Sequence, residues 1–176
     1  MPRSARAGRG KPARKKEGKI SAPVEVYFHD STALYDAPID DLWEFMRDEE
    51  IHGAAHGPTL RNFEGRELSP TSFEATYEIL RGGKWYWSKS RHTEFPPLCK
   101  IGEHLEGAYA GTIFLIHFWP EGERTRVEVW ARLRSDVLSA KDLRAHWRES
   151  FTNAYSEDIA VLPRFMKAKR DRRAES

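Results

Sequence analysis

Between residues 60 and 134 the hydrophobic period is two, in six consecutive runs with short breaks between them. The runs are Leu60–Leu68, Thr71–Leu80, Lys84–Glu94, Leu98–Glu106, Thr112–Trp119 and Arg124–Arg134. Alternation of this kind marks strands with one buried face. The breaks are turn chemistry: Ser69-Pro70, Gly82-Gly83, Pro96-Pro97, Gly107-Ala108-Tyr109-Ala110 and Pro120-Glu121-Gly122-Glu123. Links this short cannot carry a crossover helix, so the six strands form an antiparallel meander.

The flanks have a different period. Val24–Tyr35 is β-branched and aromatic and reads as a further strand, ended by Asp36-Ala37-Pro38. Ile39, Leu42, Trp43 and Met46 then recur at helical spacing, with Pro38 where a first turn tolerates it. A short polar helix or loop, Asp48 to His56, stops at Gly57-Pro58. After the meander, Ser139 has the chemistry of an N-cap, and a helix is expected to run to about Lys169. Leu143, Trp147, Phe151, Ala154, Val161, Leu162 and Phe165 form its apolar stripe. Pro163 is expected to kink or split it.

A chain of 176 residues can bury one proper core and not two. Cys99 is the single cysteine, which excludes a disulfide scaffold and a multi-cysteine metal centre and fits a reducing, cytoplasmic setting. No apolar run reaches the roughly 20 residues of a membrane span. The net charge of +2 conceals an asymmetry. Residues 1–19 carry eight Lys and Arg against Glu17 alone, and residues 167–176 carry five against Asp171 and Glu175. The domain between them is acidic. Residues 1–20 read as a disordered basic tail and 169–176 as a basic C-terminal tail around a domain of 21–168. Charge on residues 1–19 suits weak contact with nucleic acid, although no aromatic accompanies it for base stacking.

The element order and three stretches of text resemble the START-like (SRPBCC) superfamily, including its polyketide cyclase/dehydrase and coenzyme Q-binding branches. The stretches are Ala37-Pro38-Ile39-Asp40-Asp41-Leu42-Trp43-Glu44-Phe45, Phe118-Trp119-Pro120-Glu121-Gly122-Glu123-Arg124-Thr125-Arg126-Val127, and the terminal amphipathic helix. The resemblance spans about residues 24–168. It implies an α+β helix-grip fold: a seven-stranded antiparallel sheet around a long C-terminal helix, with two short helices after the first strand. It also implies a cavity between sheet and helix for an apolar ligand such as a lipid, an isoprenoid or a polyketide. A minority of such proteins catalyse cyclisation, dehydration or hydrolysis, and fold alone does not decide between these roles.

Strand alternation sorts the side chains into two faces. Thr125, Val127, Val129, Ala131 and Leu133 form the set that faces the helix. A four-residue turn at 120–123 adds Phe114, Ile116 and Phe118. A two-residue turn at Ala108-Tyr109 adds Cys99, Ile101, Glu103 and Leu105. A loop at 94–97 adds Tyr86, Ser88, Ser90 and His92, and the Gly82-Gly83 turn adds Phe73, Ala75, Tyr77 and Ile79. This register sets Arg91 opposite Glu74 on the outer face and Ser88 opposite Glu103 on the inner one.

A carboxylate on a dry face needs a partner. Glu103 and His92 are therefore the candidate acid–base pair. Tyr77, Tyr86, Ser88, Ser90, Phe114, Ile116, Trp147 and Phe151 are the candidate ligand contacts. His104 and His117 fall on the outer face. So do Trp85, Trp87, Ile113, Leu115, Trp119 and Trp130, which is much apolar area for solvent. Either a homodimer covers that face, or the register slips and Trp85 and Trp87 turn inward. His52 and His56 are spaced i, i+4, as a metal pair on a helix would be. No third ligand is visible nearby and Gly53 and Gly57 weaken the helix, so no metal site is assigned; the two rings line the cavity mouth or are solvated. No cofactor is implied.

The expected function is binding or transport of a small hydrophobic ligand. One alternative is a cyclase/dehydratase or hydrolase-type enzyme in the same cavity. Another is a nucleic-acid-associated protein acting through its N-terminal tail.

Overall fold

Gly82 and Gly83 adopt φ of 51° and 72°. Two successive left-handed residues are what a two-residue hairpin turn matched to strand twist requires. They join β3 (Ser72–Arg81) to β4 (Lys84–Phe95), and similar hairpin logic runs through the molecule. A computed structural model describes residues 22–174. The elements before β3 are β1 (Val24–Tyr35), α1 (Ile39–Phe45), one π-helical turn (Glu49–Gly53) and β2 (Leu60–Ser69). Those after β4 are β5 (Cys99–Gly107), β6 (Ile113–Glu121), β7 (Arg124–Ser135) and α2 (Ala140–Ala174). The sheet is antiparallel, in the order β1-β7-β6-β5-β4-β3-β2. This is the seven-stranded helix-grip arrangement, with the meander running from β2 to β7 and β1 returning to pair with β7.

Ser139 caps α2. Its Oγ accepts from the Asp142 amide at 3.1 Å and donates to the Asp142 carboxylate at 2.7 Å. The stripe lies against the sheet, with Leu143, His146, Asp158, Leu162 and Phe165 buried. The helix is unbroken at Pro163 and runs on to Ala174, past the expected end near Lys169. Proline has no N–H for the Ile159 carbonyl. Ile159 is 44% exposed, so that carbonyl can turn to water. Lys169 ties this last stretch to α1 through Asp41 at 2.7 Å and through Glu44. The basic tail of residues 1–20 lies outside the described residues.

The apolar interior has two ends. Tyr35, Leu42, Trp43, Phe45, Phe118, Val127, Leu162 and Phe165 fill one. Val26, Phe28, Tyr109, Phe114, Val129, Ala131, Leu133 and Leu143 fill the other. Ile116 and Phe151 touch both.

The register departs from the expectation at two connections. The β6–β7 turn holds two residues, not four, so Phe118 pairs with Val127 and Ile116 with Val129. That shift is even and leaves the faces unchanged. The β5–β6 connection instead closes between His104 and Thr112, whose backbones bond at 2.9 Å, rather than around Ala108-Tyr109. Glu103 therefore pairs with Ile113 instead of Phe114. A one-residue shift exchanges the two faces. Lys100, Gly102 and His104 point inward, and Cys99, Ile101 and Glu103 point outward, reversing the expected placement of Glu103 and His104. A further irregularity between Lys89 and Ser90 sets Ser88 opposite Gly107 and leaves Arg91, not Ser88, opposite Glu103.

Trp85 and Trp87 stay on the outer face: Trp87 is 46% exposed, and the Arg61 guanidinium sits 4.0 Å over the Trp85 ring. The expected Glu74–Arg91 cross-strand pair is present at 2.8 Å. No helix among the described residues is long and apolar enough to cross a membrane.

Candidate functional site

Between the sheet and α2 lies a cavity of about 210 Å³. Trp43, Ile116, Phe118, Val127, Phe151 and Ala154 make its apolar wall. Two polar groups of side chains complete it. Arg47, Glu94 and Lys100 form the first, and Tyr35, His52, His56 and Asp158 the second.

The first group follows from the β4–β5 hairpin. Glu94 and Lys100 are cross-strand partners, and their charges pair at 3.1 Å. Arg47 approaches the other Glu94 oxygen at 3.8 Å. The Glu94 side chain is only 8% exposed. A carboxylate so placed needs these cations to offset its lost hydration.

The second group follows from a local departure in the helix. Asp48 accepts from the Ile51 amide through its side chain, and its carbonyl takes both the His52 and Gly53 amides, at 2.9 and 3.2 Å. The widened turn brings His52 and His56 together on the side facing α2. Their Nε2 atoms are 3.0 Å apart. Asp158, from the middle of α2, places Oδ1 at 3.3 Å from the His52 nitrogen and 3.4 Å from the His56 nitrogen. Its Oδ2 accepts from the Tyr35 hydroxyl at 2.8 Å. The His56 Nδ1 lies 2.7 Å from Glu157 Oε2, and Thr59 donates to the same carboxylate. The donor atoms of His52, His56 and Asp158 all lie within 4.8 Å of one another. Burial pushes the Asp158 carboxyl up, but the two facing imidazoles outweigh it and bring the group below the usual carboxylate value. Burial pushes His56 down, and Asp158 and Glu157 more than reverse that.

The candidate residues from the sequence divide between two places. Ile116 and Phe151 line the cavity. Tyr77, Tyr86, Ser88, Ser90, Phe114 and Trp147 lie in or beside the neighbouring part of the interior, where packing is close. There Ser88 shares a hydrogen bond with His104 Nδ1 at 2.7 Å, and Ser90 shares one with His92 Nε2 at 2.8 Å. Burial holds His92 down to about 3 and His104 to about 4, so both rings are neutral at neutral pH. His92 stacks on Phe73 at 4.8 Å. The expected Glu103–His92 pair does not form: His92 faces α2 and Glu103 faces away from it, on opposite sides of the sheet.

Sequence reasoning missed Glu94, Lys100, Arg81, Glu157 and Asp158. Arg81 is 5% exposed and donates to the Leu80 carbonyl and to Ser150 on α2. Three of these carried a signal. Glu94 continues the alternation of Ser90 and His92, Arg81 continues that of Tyr77 and Ile79, and Asp158 is a charge inside an apolar stripe.

The fold is the START-like helix grip, as solved structures show. An aromatase/cyclase from Streptomyces sp. R1128 superposes with a TM-score of 0.59 at 16% identity, over 88% of this chain and 98% of that one. A START superfamily protein from Mycobacterium smegmatis gives 0.59 at 10% identity, over 81% and 97%. Norcoclaurine synthase from Thalictrum flavum, in complex with dopamine and hydroxybenzaldehyde, gives 0.55 at 12% identity, over 91% and 97%. In sequence, no family model matches the chain and no curated protein does.

Proposed function

We propose that the chain binds a small hydrophobic ligand, with one polar end, in the cavity between the sheet and α2. The observation that carries this reading is the cavity: apolar along one wall and charged at the other. Its volume of about 210 Å³ sits below the usual range for drug-sized ligands. It exceeds the roughly 150 Å³ that admits a benzene ring, so the fitting class is a single ring or a short chain. Affinity comes from buried apolar area, at roughly 25 cal/mol per Å², and orientation from Lys100, Glu94 and the histidines.

Native mass spectrometry of freshly purified protein tests this. The expected result is a co-purified organic mass that leaves on unfolding. A companion test titrates p-cresol by ligand-observed NMR into the wild type and into Ala154→Phe, which fills the cavity. Binding lost in a folded variant supports the reading. Equal binding by both, or none by either together with an empty purified protein, overturns it.

An enzyme in the same cavity is the second reading. Cyclase- and synthase-type neighbours and the ionisable groups at the charged end favour it. Its mark is a trapped ligand whose mass changes on incubation.

For partners, the outer sheet face favours a second copy of the chain. Tyr27, Trp119 and Trp130 are 76%, 49% and 51% exposed, and a groove of about 690 Å³ runs past Tyr27, His29, Ile113 and Trp130. Light scattering reads a dimer mass, lost in Trp130→Lys, if two copies pair there. Nucleic-acid contact by residues 1–19 rests on their charge. It is tested by retention on DNA that weakens with salt and disappears without those residues.

A further inference from the structure

We propose that His52, His56 and Asp158 bind a divalent first-row transition-metal ion whose remaining coordination positions open into the ligand cavity.

Geometry carries this. The two Nε2 atoms and Asp158 Oδ1 form a triangle with edges of 3.0, 3.3 and 3.4 Å. Ligand atoms about 2.1 Å from a common ion lie about 3.0 Å apart at octahedral angles and about 3.4 Å apart at tetrahedral ones. The observed edges span that range. An ion at such distances sits about 1 Å above the plane of the three atoms, capping one face of the triangle.

The burial of that oxygen supports the same reading. Asp158 is 3% exposed, and its Oδ1 accepts no hydrogen bond among the described residues although both histidine nitrogens face it. A buried carboxylate oxygen that meets only two ring nitrogens, at 3.3 and 3.4 Å, is under-satisfied unless a proton or a cation lies between them, and a bound cation fills that role.

The surrounding contacts are those of a metal site. Glu157 lies 2.7 Å from His56 Nδ1. A carboxylate there accepts a hydrogen bond from the protonated Nδ1 and leaves Nε2 with its lone pair aimed at the ion. The Tyr35 hydroxyl occupies the second Asp158 oxygen and fixes that carboxylate in rotation. His52 sits on a π-helical turn, a feature frequent at functional sites, and His56 follows it in the next turn.

Donor chemistry selects the class of ion. Two imidazoles and one carboxylate suit zinc and iron(II) rather than calcium or magnesium, which prefer all-oxygen sets. Three protein ligands leave open positions, as in catalytic rather than structural sites. His52, His56 and Asp158 all line the cavity, so the open side faces any molecule held there. Only this last point rests on the ligand-binding reading; the metal site itself stands without it.

The test uses the full chain, stripped with chelator and titrated calorimetrically with Zn²⁺, then with Co²⁺ while its visible bands are followed. One equivalent of each is expected, with the Co²⁺ bands of a nitrogen–oxygen site. His52→Ala and Asp158→Asn are expected to lose at least about 100-fold in affinity, and Glu157→Gln about 10- to 100-fold. Circular dichroism confirms that each variant is folded. If Asp158→Asn does not fold, the half-buried His52→Gln and His56→Gln carry the comparison. No saturable binding by the wild type overturns the proposal, and so does binding that survives unchanged in the folded histidine variants.

Discussion

Lys100 Nζ lies 3.1 Å from Glu94 Oε1 inside the curve of the sheet. Sequence reasoning placed neither of these two charges on the inner face, and the pair ties the stability of the β4–β5 hairpin to the polarity of the cavity. Removing one member strands the other away from water. Glu94→Gln is expected to cost about 2–3 kcal/mol in urea unfolding, and adding Lys100→Met is expected to recover most of it. A double variant no better than the single one would show that the pair is not coupled.

Gly102 faces Phe114 across the β5–β6 ladder, and a Cβ added there would lie 2.0 Å from the Phe114 ring. The ring packs against Trp147 on α2 at 5.2 Å between centroids, so making room for the methyl means displacing it from that contact. Gly102→Ala is expected to destabilise by about 3 kcal/mol, as overpacking does. Phe114→Leu in the same chain should return part of that loss, read from the same unfolding curves.

His92 and His104 give an acid-sensitive stability with a definite sign. Burial holds them at about 3 and about 4 in the folded chain, against about 6.5 when unfolded. Above about pH 6.5 neither state takes up these protons, and the contribution is fully present. Below it the unfolded chain binds protons that the fold refuses, so stability drops as pH falls toward about 4, by up to about 1.4 kcal/mol per pH unit for each ring. Unfolding midpoints compared at about pH 7 and about pH 5 are expected to show this slope. His104→Gln is expected to flatten it.

Ser139 supplies both halves of the α2 cap with Asp142. Ser139→Ala is expected to cost about 1 kcal/mol, seen as a lowered thermal midpoint, and Ser139→Asp to preserve most of the stability.

The elements were legible because their signals are local. The alternation of Val127, Val129, Ala131 and Leu133 places β7 and its inner face without any knowledge of the partner strand. The spacing of Leu143, Leu162 and Phe165 does the same for α2. Site chemistry was less legible, because it depends on how connections close. One residue more in the β5–β6 connection separates an interior with Glu103 from one with His104, and composition at Gly107–Gly111 does not reveal which. The His52–His56 pair was visible as a spacing, but its carboxylate comes from Asp158, more than a hundred positions away. Sequence shows Asp158 only as a polar residue among Ala154, Leu162 and Phe165. No local rule connects the two.

β1 pairs with β7, Val24 against Ser135, whereas every other ladder joins strands adjacent in the chain. Contacts between distant segments form slowly, because the entropy of closing the loop precedes any gain from the contact. The meander can zip hairpin by hairpin; β1 has no edge to join until β7 exists. During synthesis the first strand made is therefore the last to find its place. Its apolar face, Val26, Phe28 and Tyr35, waits for Leu133, Ala131 and Thr125, about a hundred residues further along the chain. Tyr35 meets Asp158 across 123 positions, so the charged end of the cavity is assembled only when translation of the domain is all but finished.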